Sequence, residues 1–559
     1  MVLSLSNQQK QNIMESNSKL IRKIDQELHN CAIKHESRFD ALLEFLQNKN
    51  QNLPITNKRI DELFKEIDFS DKDIVQDMFM LFGNQFTKYK LDQFYTPLTI
   101  SQFICSLMLP GKKAIDPAGG TGDLLLYYTQ GDKTIWDIDS NVLKLCKFNF
   151  ELNQLKNYHL ECKNSLADLD NHLAKYDYVV MNPPFGSKTV ETDPTILENF
   201  SLGKGKKKQE LGILFLELGM KLLRENGILF IILPSGYMGN KNNAFVELRT
   251  FILENTVLAV IELPSNTFKR SGTGVNTYLL ILQKAPAKPQ YEILISGVEN
   301  IGYNLTKKET PRLYKTNPAN GEIIRDNNQL PILENDLTLL LEQFSWFAKK
   351  NNIPNVPSSN TQINYESVDI TQLDSNILDI KRYKQNYLSV INNLKASSSF
   401  QPVNKFAKII TTSSKIEKTK LYKYIDIGEI NSPLHNYKDL YGWELPSRAK
   451  CLVQKYDILV SKLEGTMSYC VILNDFDNMI ATNGVAVIRP TSMPHLYTLF
   501  SNIMKKDFAI QHNAFVTGSI MASLNDADIG SILVSTKEDN DSTKKIIDTL
   551  ELLQQLRFK

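Results

Sequence analysis

The spacing of apolar residues changes along the chain, and the first spacing is helical. From residue 9 to residue 86 apolar side chains recur every three or four positions, as at Leu20, Ile24 and Leu28, and Pro54 is the only proline. Apolar residues at this interval form one face of a helix. Residues 1–90 are therefore predicted to form a helical N-terminal module.

A different pattern runs from residue 114 to residue 284, where short β-branched and aromatic runs alternate with amphipathic stretches. This alternation is typical of a parallel sheet with crossover helices. Residues 91–290 are therefore predicted to form a doubly wound, seven-stranded α/β domain. The predicted strands are residues 114–116, 134–137, 159–162, 176–180, 228–233, 258–263 and 277–282.

Prolines and asparagines interrupt this pattern over residues 291–375, which are predicted to be a connecting region with a helical island near 337–346. Residues 376–559 show a helical stripe, mixed short strands and turns, and a final helix. They are predicted to form a C-terminal α+β domain with flanking helices. These two helices either pack as ordinary core elements or form a pair that orients the domain or joins two protomers.

The composition is that of a globular protein, since 42% of the 559 residues are hydrophobic and 23% are charged. The longest apolar stretches, such as 228–233, are far shorter than the roughly 20 residues of a membrane span. The first twenty residues are polar, and the six cysteines form no Cys-x-x-Cys pair. These features predict a soluble, cytoplasmic protein without a structural zinc or another metal site.

Net charge alone does not indicate a nucleic-acid partner, because 64 Lys and Arg residues are balanced by 62 Asp and Glu residues. The balance is uneven along the chain. Residues 374–450 contain 13 basic and 7 acidic residues, a local excess of six positive charges. A basic segment of this kind supports contact with DNA.

A glycine-rich turn, Asp116 to Asp123 (DPAGGTGD), follows the first predicted strand. Glycines at such a turn permit positive φ angles and let a ligand approach the backbone, although a tight bend alone explains them as well. At the end of the next strand, Asp137 can accept hydrogen bonds from both hydroxyls of a ribose. Asp139 is better placed as a helix N-cap. The glycine turn and Asp137 together favour a cofactor that contains adenosine.

The tetrad Asn182, Pro183, Pro184 and Phe185 follows the fourth predicted strand and so lies at the same sheet edge. An exocyclic amine on an aromatic ring is a poor nucleophile, because its lone pair is delocalised into the ring. The Asn182 side-chain oxygen and the Pro183 carbonyl can accept both N–H bonds and free the lone pair for attack. The prolines restrict the backbone, and Phe185 offers a face for stacking.

In this order the motifs resemble those of the amino-methyltransferases that use S-adenosyl-L-methionine, and specifically the N6-adenine DNA methyltransferases. Residues 229–237 and 263–284 also resemble the modification subunits of type I restriction systems. The resemblance implies that Asn182 to Phe185 are catalytic and that the cofactor is S-adenosyl-L-methionine. It implies that the cofactor-binding residues are Gln93, Phe94, Tyr95, Thr96, Pro97, Asp116, Gly119, Gly120, Thr121, Gly122, Asp137 and Asn164.

The sequence departs from the family pattern at two positions. Leu98 stands where the family often has a basic residue, and Asn164 stands where it often has Asp. Protein-glutamine and N4-cytosine methyltransferases share the tetrad, so the tetrad alone does not identify the target. The order of the motifs, with an extra domain after the tetrad, is typical of N6-adenine enzymes.

A lysine run, residues 203–208 (GKGKKK), lies between the tetrad and the next helix. It is either a solvated face or, with Lys204, Lys206, Lys207 and Lys208, a DNA-binding loop beside the active edge. A target nitrogen inside a duplex is reached only after base flipping, which costs a few kcal/mol that DNA contacts must offset.

The C-terminal domain resembles one target-recognition half of a type I specificity subunit. The residues that carry this resemblance are 422–430, 456–465, 481–490 and 517–534. The resemblance implies a DNA target-recognition domain fused to the methyltransferase. A single recognition half predicts either a short asymmetric target or a dimer on a symmetric or bipartite one.

The sequence thus predicts a site-specific methyltransferase that acts on adenine N6 in double-stranded DNA. One alternative is a modification and specificity component of a restriction or phage-defence complex that is active only with partner subunits. Another is a sequence-specific DNA-binding protein that keeps the fold without turnover. The intact tetrad and glycine turn argue against this last alternative.

Overall fold

The computed structural model describes residues 7–33, 38, 58–67, 72–74, 76, 95–167, 169, 171–185, 189–269, 274–304, 312–411, 415–465, 467–518, 522–537 and 540–557. The chain divides into two compact units, Met1–Leu378 and Asp379–Lys559. Each unit has its own hydrophobic core.

The first unit begins with two helices, α1 (Asn7–Asn30) and α2 (Lys58–Glu66). Their contact is apolar: Leu20, Ile24 and Leu28 of α1 are buried in one cluster with Ile60 and Leu63 of α2. Apolar residues three and four positions apart lie on one helix face, so both faces are buried by packing against each other.

The centre of the first unit is a nine-stranded sheet with the order β11-β10-β8-β9-β7-β4-β1-β2-β3. Its strands are β1 (Lys113–Asp116), β2 (Asp132–Asp137), β3 (Tyr158–Cys162), β4 (Tyr176–Met181), β7 (Leu223–Pro234), β8 (Asn255–Glu262), β9 (Thr277–Pro286), β10 (Glu292–Gly297) and β11 (Glu366–Asp369). A separate two-stranded ribbon contains β5 (Val190–Glu191) and β6 (Gln209–Glu210).

Most strand pairs are parallel, as the alternating pattern predicts, and β9 runs antiparallel to both β7 and β8. All six residues of β4 are buried. Burial on both faces explains why this strand is a continuous apolar run rather than an alternating one. The mixed α/β, doubly wound fold class is confirmed.

The sheet has two strands more than the seven predicted, and both come from the segment predicted to be a connecting region. They are β10 and β11, which extend the β8 edge. In β11 only Val368 is buried. A four-residue edge strand with one buried side chain has no recognisable alternation, because one of its sides has no strand neighbour.

Helices and a bridged loop complete the first unit. The helices after α2 are α3 (Leu98–Ser106), α4 (Ser140–Leu152), α5 (Pro194–Leu197), α6 (Leu211–Leu222), α7 (Ser235–Gly239), α8 (Asn243–Leu253) and α9 (Leu337–Lys350). Isolated antiparallel bridges, from Ile301–Asn335 to Arg325–Pro331, connect the two arms of the segment between β10 and α9.

The second unit has two four-stranded sheets, with the orders β13-β22-β19-β20 and β17-β14-β21-β18. Its strands are β12 (Phe400–Pro402), β13 (Ala407–Ile410), β14 (Leu421–Ile425), β15 (Ile430–Asn431), β16 (Leu434–His435), β17 (Lys438–Tyr441), β18 (Ala449–Leu452), β19 (Ile458–Ser461), β20 (Tyr469–Val471), β21 (Met479–Thr482), β22 (Val485–Pro490) and β23 (Leu533–Ser535). Its helices are α10 (Gln385–Ala396), α11 (Met493–Ile503), α12 (Lys506–Phe515), α13 (Asp526–Ser531) and α14 (Asn540–Arg557). Among the described helices, none has the length and apolar character to cross a membrane.

Candidate active site

Four strands that follow one another in the sequence end at one edge of the large sheet, and each is followed by a polar side chain. Asp116 ends β1, Asp137 ends β2, Asn164 follows β3 and Asn182 follows β4. All four residues line one cleft with a volume of about 420 Å³. The cleft lies where β1 separates β2 from β4, so the strand order reverses at this point. Such a switch point is the usual ligand site of an open α/β sheet.

The glycines of the turn after β1 have different structural requirements. A Cβ atom at Gly119 would lie 2.3 Å from Cγ2 of Ile135, so this residue allows the turn to pack against β2. Gly122 has φ +79°, and a Cβ there would lie 2.6 Å from the Cys146 sulfur. Gly120 has φ +53°, lines the cleft and has no atom within 4 Å of its Cβ position. The space in front of Gly120 is therefore open to a ligand.

Asp116 and Asp137 are carboxylates held by backbone N–H groups. Asp116 is buried and accepts a hydrogen bond from the N–H of Ala118 at 3.0 Å. Asp137 accepts from the N–H of Gly120 and from that of Asp139, both at 2.9 Å. Burial raises the pKa of both carboxyls, and that of Asp116 is well above its usual value. Asp139 caps α4 by accepting from the N–H of Asn141, which confirms the predicted N-cap.

Asn164 closes the turn that follows β3, since its side-chain oxygen accepts a hydrogen bond from the N–H of Leu166 at 3.0 Å. The neighbouring Lys163 also lines the cleft, and its ammonium lies 4.3 Å from the centre of the Trp136 ring. Asn164 therefore reaches the cleft from a turn that its own side chain stabilises.

The amide of Asn182 is held by a residue from the segment before the sheet. Its Nδ2 donates a hydrogen bond to Oγ1 of Thr96 at 3.1 Å. Thr96 is 3% exposed, and its carbonyl accepts a hydrogen bond from Nε2 of Gln76 at 2.8 Å. Because the amide nitrogen points at Thr96, the bond sets the direction in which the amide oxygen points.

The tetrad residues differ in their access to the cleft. Asn182 and Pro184 line it, whereas Pro183 and Phe185 are buried and lie outside the lining. Phe185 is 4% exposed and packs edge to face against Phe268, with ring centres 6.2 Å apart. The described position of Phe185 thus completes a hydrophobic contact beside the cleft.

The other predicted cofactor residues fall into two groups. Tyr95, Thr96 and Thr121 line the cleft, while Pro97 is the N-cap residue of α3. Gln93 and Phe94 lie outside the described residues.

Asp123 is a buried carboxylate of the cleft for which the sequence indicated no role. Its oxygens accept hydrogen bonds from Oγ1 of Thr121 at 2.6 Å and from Nδ2 of Asn149 at 3.1 Å. Burial raises its pKa to about 6, while hydrogen bonds from Thr121, Gln76 and Asn149 lower it. Gln76 therefore contacts both Asp123 and Thr96. No local pattern marks Gln76, because both of its contacts are distant in sequence.

A second wall of the cleft was also missed. It consists of Thr189, Val190 and Glu191 from β5 and its approach, with Leu211 and Phe215 from α6. Residues 209–222 read only as a buried helix, since an apolar helical pattern does not distinguish core from cleft wall.

The predicted lysine loop lies directly before β6, the partner strand of β5. Lys204, Lys207 and Lys208 are exposed, whereas Lys206 forms an ion pair with Glu247 at 2.5 Å. Among the described residues there is no group of three or more His, Cys, Asp or Glu side chains that could hold a metal ion.

The sequence profile of a family described as N-6 DNA Methylase matches residues 70–365. No curated protein is significantly similar to the chain.

Solved structures of low sequence identity are similar to the chain. One is the methyltransferase subunit of a type I restriction-modification system from Streptococcus thermophilus, at 18% identity and a TM-score of 0.39, over 61% of this chain and 80% of that one. Another is the type IIG restriction endonuclease BpuSI, at 13% identity and a TM-score of 0.45, over 96% of this chain and 71% of that one. A third is a nuclease-deletion mutant of the type ISP enzyme LlaGI with a DNA substrate mimic, at 10% identity and a TM-score of 0.47, over 99% of this chain and 64% of that one.

Proposed function

The chain belongs to the N-6 DNA methylase family, whose profile covers more than half of it, and from this premise we propose that it transfers a methyl group from S-adenosyl-L-methionine to adenine N6 in double-stranded DNA. The observation that carries the proposal is the common cleft of Asp137 and Asn182. In it, a carboxylate suited to a ribose lies in the same space as an amide suited to an amine.

The residues of the cleft fit S-adenosyl-L-methionine, which supplies a methyl group on a sulfonium when bound. Gly120 leaves open space where any side chain would intrude. The Asp137 carboxylate is oriented by two N–H groups and keeps lone pairs for the two ribose hydroxyls. Asn164 would bind the adenine of the cofactor, and Tyr95 and Thr96 would hold its methionine end. The volume of about 420 Å³ is in the usual range of cofactor pockets.

Asn182 would act on the target base by accepting a hydrogen bond from the N6 amine. A second acceptor, the carbonyl of Pro183, would take the other N–H. Two fixed acceptors hold the nitrogen away from the conjugated geometry, and its lone pair then points out of the ring. Because N6 becomes acidic once it is alkylated, its proton can pass to water without a dedicated base.

Phe185 would stack on the flipped adenine. In the described conformation its ring is covered by Phe268, so entry of the base requires this contact to open. Exchanging one aromatic contact for another would offset part of the few kcal/mol that base flipping costs.

DNA would be held by both units. The exposed Lys204, Lys207 and Lys208 lie beside the ribbon that lines the cleft, and phosphate contacts from them would weaken with salt. The second unit would be the target-recognition domain. Possible partners are a second copy of the chain or the subunits of a restriction or defence complex.

Long-read sequencing of DNA from a methylation-deficient bacterial host that expresses the chain tests the proposal. We expect one sequence motif to carry N6-methyladenine. Asn182→Ala should abolish the modification while binding of S-adenosyl-L-methionine and DNA persists. Asn328→Ala, a change in an exposed turn outside the cleft, is the matched control. An unmodified genome together with absent cofactor binding would refute the proposal, whereas cofactor binding without modification would indicate dependence on partner subunits.

A further inference from the structure

An exposed tryptophan marks one end of a sheet in the second unit. Trp443, in the turn after β17, is 67% exposed, more than any other aromatic residue that the structure describes. Its neighbours on the sheet are Leu421 and Tyr441, a cross-strand pair that is 41% and 48% exposed. Adjacent exposed apolar side chains of this size are typical of a contact surface.

The turn that carries Trp443 is tightly held. The N–H of Trp443 donates to the carbonyl of Lys418 at 3.1 Å, and the N–H of Gly442 donates to that of Lys420 at 2.9 Å. A Cβ atom at Gly442 would lie 2.1 Å from the carbonyl oxygen of Glu417, so the two chain segments are in direct contact. The indole is therefore presented by an ordered backbone, and a partner would lose little conformational entropy on binding it.

The segment that holds the turn is basic. Lys415, Lys418 and Lys420 are exposed, and Glu417 is the only acidic residue between them. Within the described part of the chain, none of these three lysines forms an ion pair. Other cations of the same sheet are neutralised by carboxylates, in the pairs Lys423–Asp439, Lys438–Glu429 and Arg448–Asp426.

An ordered aromatic ring beside several uncompensated cations matches the chemistry of nucleic acid. Aromatic side chains stack on bases of any sequence, and lysines bind the phosphates. An apolar protein partner fits less well, because it would bury ammonium groups without compensation.

We propose that Trp443, Lys415, Lys418 and Lys420, here called the Trp443 surface, contact double-stranded DNA. The indole packs against a base or sugar, and the ammonium groups lie on the phosphates. This inference rests on the proposed function, since it assigns to the second unit part of the DNA contact that methyl transfer requires.

Binding of the full chain to a mixed-sequence DNA duplex, measured over a range of salt concentrations, tests the surface. Trp443→Ala should weaken binding by about fivefold to a hundredfold with little change in the salt slope. The triple change Lys415→Ala, Lys418→Ala, Lys420→Ala should lower the slope of log K against log salt by about 2 to 3. Trp443→Phe should keep part of the affinity and lose most of the tryptophan fluorescence change on DNA binding, since Trp136 is fully buried.

Leu556→Ala is the matched control, because Leu556 is 68% exposed on the helix α14 and should not affect DNA binding. Cofactor binding and thermal unfolding should be unchanged in every variant. If the parent chain methylates DNA and Trp443→Ala binds the duplex as tightly as the parent, the surface proposal is wrong while the proposed function stands. Loss of a co-purifying protein, with DNA affinity intact, would instead identify a protein-binding surface and overturn it. A parent chain that neither binds nor methylates DNA would refute both.

Discussion

Replacing Thr96 by Val isolates the bond that orients the proposed catalytic amide. The substitution removes Oγ1, the acceptor of the Asn182 Nδ2 hydrogen at 3.1 Å, and nearly conserves the side-chain volume. The bond from Gln76 is made to the Thr96 carbonyl and so persists. The change therefore affects the direction of the amide more than the packing around it.

The size of the effect follows from the burial of the two partners. A buried neutral hydrogen bond contributes about 0.5–1.5 kcal/mol, and an unpaired buried donor costs about 1–3 kcal/mol. Thr96 is buried but Asn182 is only half-buried, so water can replace part of the loss. About 1.4 kcal/mol of lost transition-state stabilisation corresponds to tenfold in rate. We expect kcat to fall about tenfold, while the KM for S-adenosyl-L-methionine changes little.

Thr99→Val is the control for the loss of a buried hydroxyl. Thr99 is 5% exposed, donates to the carbonyl of Ile301 at 2.6 Å and lies outside the cleft lining. It should lower the free energy of unfolding by an amount similar to Thr96→Val but leave kcat unchanged. Thr96→Ser keeps the hydroxyl and should restore most of the rate.

The assay is methyl transfer from labelled S-adenosyl-L-methionine to DNA of a methylation-deficient host, with unfolding followed in denaturant. The reasoning fails if folded Thr96→Val retains kcat within twofold of the parent. It also fails if Thr99→Val loses as much activity as Thr96→Val, because the effect would then be one of general packing.

Two further predictions concern the glycine turn. Asp123 has a pKa of about 6 in the fold against 3.8 for an ordinary Asp, so the folded state binds its proton more tightly than the unfolded state. Its contribution to stability should be greatest below pH 4 and be lost as the pH rises through 6. This difference between the folded and unfolded pKa corresponds to at most about 3 kcal/mol, and Asp123→Asn should abolish this part of the pH dependence of denaturant unfolding. Gly120→Ala should cost about 1–2 kcal/mol for its positive φ and raise the cofactor Kd, measured by calorimetry. Gly119→Ala should instead lower Tm more strongly, because its Cβ would clash with Ile135, and equal effects of the two changes on Tm would contradict the distinct roles of the two glycines.

Local pattern was sufficient for the central fold. Each of the seven predicted strands overlaps a strand of the sheet, and Asp139 caps α4 as its position before an apolar helix predicts. These features depend on the spacing of neighbouring residues, on burial of whole strands and on backbone conformations that few residues adopt. The glycine turn likewise follows from its own sequence, since Gly120 and Gly122 have positive φ.

Contacts between distant segments decided the rest. The edge strand β11 is defined by its pairing with β10 across about seventy residues, because its own four residues carry almost no apolar signal. The placement of Gln76 between Thr96 and Asp123, and the burial of Phe185 by Phe268, also arise only when separate elements pack together. The sequence by itself therefore determined which elements form and which residue types lie at the sheet edge, since these depend on local spacing. Which side chains hold one another there was decided by the tertiary structure, because hydrogen bonds and packing depend on distance in space.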